Sequence, residues 1–382
     1  MPNAAPGSGN IRIIEADSRQ TVRDFLHLPE RIYADDPAWV APLLLEQKQR
    51  VFHNTPLFAH CAIARWVAYR DGAPIGRITA QLDELQPPLD GGAVGYFGML
   101  EAVDDRSVFE ALFDTAQGWL RERGAAWIRG PYNLSINEEI GLLVENFDEP
   151  PFIMMGHAPR YYQAHIEALG FGGVKNLLTY KVRPDFVAPE VMEKLATRAR
   201  RQVTVRPFNR KAKAAEFEAM RDIFNDAWSE NWGFVPFTRE EFAEVAKTLT
   251  LLLPDDYIQV AEIDGRPVAF ITALPNINEL IGDLRGRLFP FGWAKLLWRL
   301  KVKGPRSTRV ALMGVRKEYQ HSRLGPTLAF LVIDAVRKEM SRRGVEMVEM
   351  GWILEDNDGM RHIIEAIGSD IYKRYRVYQK KL

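Results

Sequence analysis

The sequence predicts an α/β chain of the α+β kind, in which one folding unit is written twice in tandem. Three pairs of matching stretches predict it. Asp71-Gly-Ala-Pro-Ile-Gly-Arg-Ile-Thr-Ala80 returns as Asp264-Gly-Arg-Pro-Val-Ala-Phe-Ile-Thr-Ala273. A helical segment closes on Arg121-Glu-Arg-Gly124 in one copy and on Ser341-Arg-Arg-Gly344 in the other, and Ile166-Glu-Ala-Leu-Gly170 returns as Ile364-Glu-Ala-Ile-Gly368. The three matches keep their order along the chain, which is the mark of an internal repeat. The boundaries that follow are a disordered tail over 1–10, a first copy over 11–183, a linker helix over 184–202 opened by Pro189, and a second copy over 203–382 with an insertion at 276–307.

Each element has a local cause. Apolar strands, Ala62 to Tyr69 and Tyr257 to Ile263, run into Asp-Gly and out again, the signature of a hairpin with a tight turn. Helices stop at Gly124, Gly170, Gly344 and Gly368, because glycine alone takes the left-handed cap without penalty. The common order is strand, hairpin, strand, long helix, strand, short helix, strand. The first ten residues, rich in Pro, Gly, Asn and Ala, lack the basic start and apolar run of a signal peptide.

Composition narrows the class. With 382 residues and 47% hydrophobic content the chain can bury substantial cores. Lysine plus arginine equals aspartate plus glutamate at 50 each, so no global field draws nucleic acid and none is expected as a partner. The single Cys61 beside an apolar strand reads as a small core residue in a reducing cytoplasm. There is no paired-cysteine spacing, no His-Glu-x-x-His, no Walker loop and no Gly-x-Ser-x-Gly elbow, so neither a metal nor a covalent serine mechanism is expected.

The chemistry is expected after the strand Val310 to Val315. There Gln320-His-Ser-Arg-Leu-Gly325 leads through Pro326 into a helix whose Leu328, Leu331, Val332, Ala335 and Val336 recur at helical spacing. Unpaired amides and the positive end of the helix dipole make such a start an anion site, with Gln320, His321, Ser322 and Arg323 as added donors. The turn, Gln320-x-x-Arg323-x-Gly325, resembles the acyl-CoA pyrophosphate loop of the GNAT superfamily of N-acyltransferases, Gln/Arg-x-x-Gly-x-Gly/Ala, with arginine in place of the middle glycine. The element order of both copies is similar to that fold.

The resemblance implies two GNAT-like domains, each a mixed, mostly antiparallel twisted sheet flanked by helices. It implies acyl-CoA as co-substrate, with no tightly bound cofactor, held by Leu312, Met313, Val315, Gln320, His321, Ser322, Arg323, Leu324, Gly325 and Thr327. It also implies direct attack by an amine, without a covalent enzyme intermediate. The late-helix tyrosine usual in the superfamily falls on Ile364, which leaves the general acid unassigned; Tyr372 is the nearby candidate.

The copies differ in ways that bear on function. Asp104-Asp105-Arg106 replaces the anion turn in the first copy, so that copy reads as degenerate. Its long apolar loop, Tyr132 to Tyr162, offers Glu138, Glu139 and His157 as candidate bases and Asn133, Asn137 and Tyr161 as acceptor contacts; solvated carboxylates and a satisfied turn histidine are the alternative. In the second copy Glu355 and Asn357 lie where the strands should diverge, or cap a helix. Trp228, Trp232, Phe234 and Phe237 line an acyl slot or pack a helix corner. From Leu284 to Lys317 there is no acidic residue while basic and aromatic residues interleave, so 285–303 suits an anionic membrane surface on the cytoplasmic side, a cover for CoA phosphates, or core packing. The function expected is transfer of an acyl group, long-chain, from acyl-CoA to the amine of a small or lipid-like acceptor, a sphingoid base in the version shared with bacterial ceramide synthases. A non-catalytic acyl-CoA or lipid-binding protein is the alternative.

Overall fold

The computed structural model describes residues 9–53 and 55–382, so the expected tail lies, up to residue 8, outside the described residues. The chain runs through β1 (Ile11–Glu15), α1 (Arg19–Ile32), α2 (Leu44–Phe52), β2 (Cys61–Arg70), β3 (Ala73–Asp83), β4 (Ala93–Ala102), α3 (Arg106–Arg121) and β5 (Ala125–Gly130). The short strands β6 (Tyr132–Asn133), β7 (Glu139–Ile140) and β8 (Leu142–Glu145) follow, then α4 (Tyr162–Ala168), β9 (Gly172–Val182) and α5 (Glu190–Ala199). The order then repeats as β10 (Val203–Pro207), α6 (Lys213–Trp228), α7 (Arg239–Leu252), β11 (Ile258–Ile263) and β12 (Arg266–Pro275). After α8 (Asn278–Ile281) and α9 (Gly292–Trp298) come β13 (Ser307–Val315), α10 (Lys317–Gln320), α11 (Leu324–Arg342), β14 (Met347–Leu354), α12 (Asp358–Ala366) and β15 (Asp370–Lys381).

The repeat is longer than the matching sequence: each copy opens with a strand and two helices before its hairpin. Asp71 and Gly72, and again Asp264 and Gly265, have φ between 51° and 77°, the left-handed pair that a two-residue hairpin turn demands.

Two compact units result, and neither is one stretch of sequence. The first holds the chain through Asn176 with Gly282–Pro290 and Tyr375–Leu382; the second holds Leu177–Ile281 and Phe291–Arg374. In the first unit β1 to β5 are neighbours in sequence order, antiparallel except for the parallel pair β4 and β5, and the end of β15 then pairs with β5, Tyr378 opposite Gly130. In the second unit β10 to β14 repeat that order, again with one parallel pair, β13 and β14. Here the end of β9 pairs with β14, Val182 opposite Val348. Each mixed, mostly antiparallel sheet therefore receives its sixth strand from the other sequence copy.

Helices cover the sheets. In the second unit α11 buries Leu328, Leu331, Val332 and Val336 against Ile271, Ala273, Val348 and Met350. In the first, α3 buries Phe109, Leu112 and Phe113, with the Phe97 and Phe113 rings edge to face at 4.9 Å. Each such side chain contributes about 1.5–3 kcal/mol of burial.

Cutting the chain after Arg183 deprives one fragment of the strand beside β5 and the other of the strand beside β14. Neither fragment alone is expected to unfold cooperatively in a circular-dichroism melt, whereas the intact chain does. A lone fragment with a sharp, intact-like transition would show that the exchanged strand is dispensable.

Candidate active site

Two parallel strands part company in the second unit. β13 and β14 pair from Ser307 opposite Met347 to Val310 opposite Met350, and no further. Ala311 is an extra residue against β12, since Thr272 faces Leu312 and Ala273 faces Val310, and the bulge bends β13 away. Backbone groups of Leu312 to Val315 on the β14 side thus lose their strand partner. Two are taken by side chains: the Trp228 indole, at the end of α6, donates to Met313 O at 2.9 Å, and Gln320 donates to Val315 O. Trp352 of β14 stands edge to face with Trp228 at 5.7 Å.

Beyond β13 the anion turn is built as a short helix and a second helix start. Gln320 is a brace in it, donating through Nε2 to Val315 O at 2.8 Å and to Ala227 O at 3.0 Å. Ser322 Oγ donates to Tyr319 O and accepts from Leu324 N, and Thr327 Oγ1 donates to Arg323 O. A Cβ on Gly325 would meet Tyr319 O at 2.5 Å, so only glycine lets α11 start this close to α10. His321 and Arg323 are exposed donors around that start, suited to an anion, while the expected donor Ser322 spends its hydroxyl proton on Tyr319 O.

At the vertex where the strands part lies a buried acid that sequence reasoning missed. Glu349 stands opposite Arg309 on β13 and opposite Lys181 on β9, a ladder of three charged residues across three strands. It and Lys373 are fully buried, and Arg309 is nearly so. Arg309 Nε approaches Glu349 Oε1 at 3.4 Å, and Arg309 Nη2 donates to Gly351 O at 2.9 Å. The Tyr372 hydroxyl donates to Glu349 Oε2, and the Lys181 ammonium sits 4.1 Å from the Tyr372 ring centroid. Burial pushes the Glu349 carboxyl up to about 7, against the opposing pull of Arg309, Lys373 and Lys181. A carboxyl held there exchanges its proton near neutrality. The signal was legible: Glu349 interrupts the apolar run Val345 to Ile353, and Arg309 heads another.

The remaining candidates of the second copy fall nearby in sequence but in separate roles. The Asn357 side chain caps α12 by accepting from Met360 N, and Glu355 O accepts from Arg361. Phe237 is buried, its backbone bonded both ways to Asn225 and its ring against Phe224 and Phe242. Phe234 packs at 6.4 Å from Phe224, and Trp232 is half-buried.

The first unit makes the same parting and fills it. β4 and β5 pair only as far as Tyr96 opposite Arg129. The next amides are claimed by side chains: Met99 N donates to Asn133 Oδ1 at 2.8 Å, and Ala102 N donates to the Tyr162 hydroxyl at 2.8 Å. Tyr132 O lies so close that a Cβ on Gly98 would meet it at 1.8 Å, and Gln81 Nε2 donates to Tyr132 O and Leu134 O. Asp105 caps α3 and pairs with Arg70 at 2.7 Å, where an anion would otherwise sit.

Around that filled cleft, Glu138 and Glu139 come together on Arg50 at 3.2 and 3.8 Å, and Asn133 Nδ2 donates to Glu139. His157 Nε2 stands 2.7 Å from Asp36, and Tyr161 donates to Ala102 O. The Asn137 amide donates to Ser135 Oγ. A second acid, Glu101, largely but not fully buried, accepts from Tyr162 at 2.8 Å, with Arg77 3.7 Å away, and desolvation raises it to about 7.

A strand parting beside a helix-start turn is what the resemblance to the GNAT acyltransferase fold leads one to expect, and comparison with known proteins agrees. The model of the acetyltransferase (GNAT) family matches residues 217–368. Protein YghO of Escherichia coli (strain K12) is 49% identical over 366 residues, 96% of this chain and 94% of that protein. A bacterial ceramide synthase of Caulobacter vibrioides (strain NA1000 / CB15N) is 42% identical over 378 residues, 98% of each. The chain belongs to the GNAT acetyltransferase family. A tandem GNAT protein from the clavulanic acid biosynthesis pathway shares the fold, with a TM-score of 0.56 at 14% identity, over 97% of this chain and 98% of that one.

Gly325→Ala forces a methyl into the Tyr319 carbonyl, and a loss of about 1–3 kcal/mol is expected in urea unfolding. Tyr162→Phe leaves the buried Ala102 amide and Glu101 carboxyl short of one partner each, for an expected loss of about 2–4 kcal/mol by the same measurement. Unchanged midpoints would show that the turn and the filled cleft relax freely.

Proposed function

We propose that the protein transfers an acyl group, long-chain, from acyl-CoA to the amine of a small or lipid-like acceptor. The observation that carries this reading is the parting of β13 and β14, which opens beside an exposed anion turn and ends on a buried acid. In this reading the backbone of Leu312, Met313 and Val315 runs beside the pantetheine. His321 and Arg323 with the α11 start take the pyrophosphate, while Gln320, Ser322, Leu324, Gly325 and Thr327 shape the turn. Arg323 supplies through its guanidinium what a glycine would supply through backbone approach.

Glu349 acts as the base. Its carboxylate takes a proton from the incoming amine, whose nitrogen forms the amide bond to the acyl carbon as the carbon–sulfur bond breaks. The CoA thiolate then leaves and takes up a proton. Tyr372 holds Oε2 and so orients the acid, a positioning role. Holding amine and thioester together supplies much of the acceleration, and proton removal contributes roughly 10²–10⁴-fold more. Trp228 and Trp352, with Phe234 and Trp232, support an apolar path for a long acyl chain. The name of the Caulobacter relative, carried over to this chain, makes the acceptor a sphingoid base and the product a ceramide; in our reading the reaction runs from the cytoplasm at the inner face of the membrane.

The test is release of free CoA from palmitoyl-CoA and from acetyl-CoA, with and without sphinganine. Amine-dependent release is expected, faster for palmitoyl-CoA. The rate should rise with pH through about 7 as Glu349 loses its proton, then level. Glu349→Gln is expected to lower kcat by roughly 10²–10⁴ and to remove that rise, with its thermal transition retained. Binding of acyl-CoA without amine-dependent release would make the protein a non-catalytic acyl-CoA binder.

A further inference from the structure

The segment 291–303 turns its largest apolar side chains to water. α9 continues through a π turn over Arg299–Lys303, and none of its residues is buried. Phe291 is 79% exposed, Trp298 60% and Val302 66%, and their spacing of seven and four puts them on one stripe. Trp293 and Leu297, four apart, are each 48% exposed. Single exposed apolar residues are ordinary, but five large ones within twelve positions are a surface meant to be covered.

What holds the segment is polar. Arg299 Nη1 donates to Leu280 O, and just beyond it Arg306 N and Ser307 Oγ donate to Glu279. Lys295, Lys301 and Lys303 are exposed among its apolar side chains, and no acidic residue occurs from Leu284 to Lys317. No helix among the described residues is long and apolar enough to cross a membrane. A twelve-residue helix of this composition suits the plane of a bilayer interface, aromatics among the acyl chains and lysines reaching the phosphates.

We propose that residues 291–303 dock on a bilayer containing anionic phospholipid. Charge selects this occupant. A second copy would bring the same excess of positive charge to the contact, exposed Lys301 and Lys303 among it, and protein interfaces are poor in lysine, whereas an anionic leaflet rewards each one. The inference rests on the reading above only in its consequence, that a lipid-like acceptor is drawn from the membrane; the docking itself is tested without substrate.

The experiment is co-sedimentation of the full chain with vesicles of phosphatidylglycerol and phosphatidylcholine in equal parts, and with vesicles of phosphatidylcholine alone. Binding is expected to the mixed vesicles, about tenfold weaker to the neutral ones, and reduced by high salt. Trp298→Asp with Val302→Asp, and separately Lys301→Glu with Lys303→Glu, should each lower binding by about tenfold or more at an unchanged melting temperature, because these side chains are exposed. Failure of the wild-type chain to sediment with mixed vesicles overturns the proposal. So does binding indifferent to both double variants, or a wild-type dimer in sedimentation equilibrium that Trp298→Asp dissolves. CoA release with detergent-dispersed sphinganine, run beside it, separates the two readings: turnover without vesicle binding removes only the docking surface, and vesicle binding without turnover removes only the acyl transfer.

Discussion

When two hydrogen-bonded strands diverge, every backbone group facing the gap must find another partner, at a cost of about 1–3 kcal/mol for each one buried without it. Much of this protein follows from that constraint. In both units a single parallel pair runs four residues or so and then opens. The first unit answers with its own side chains, Asn133 on the Met99 amide and Tyr162 on the Ala102 amide, and packs Tyr132 against Gly98. The second answers at Met313 O with the Trp228 indole and keeps an exposed donor turn beyond. The duplicated fold thus holds one cleft plugged by its own chain and one that suits a ligand.

Both units also bury a glutamate beside an arginine and under a tyrosine hydroxyl: Glu101 with Arg77 and Tyr162, Glu349 with Arg309 and Tyr372. Burying such groups seldom adds stability, because the desolvation cost offsets the Coulomb gain. The positions are not equivalent, since Arg77 pairs across β3 and β4 while Arg309 pairs across β13 and β14. Only Glu349 stands at the point where a parallel pair opens. That placement, together with a proton affinity near neutrality, makes it the acid our mechanism uses.

Much of the fold was written in short stretches. The Asp-Gly hairpins, the glycine helix stops and the duplicated order came directly from residue type, because turns and caps depend on φ at one or two positions. The exposed helix 291–303 was visible as an acid-free aromatic stretch. The turn at Gln320 to Gly325 was legible as a motif, yet the role of Gln320 was not: its side chain braces Val315 and Ala227, which are distant in sequence. Glu349 was legible only as an odd charge in an apolar run, since its partners come from β9, β13 and β15.

The sequence by itself determined the Asp-Gly hairpins, the helices that stop at glycine, and that one unit is repeated, for these rest on contacts within a few residues. Only the tertiary structure decided which strands are neighbours. It exchanged the last strand of each copy, filled one cleft with Asn133, Tyr132 and Tyr162, and gathered Arg309, Lys181, Tyr372 and Lys373 around Glu349. Cross-strand register joins residues far apart along the chain, and no local pattern records that choice.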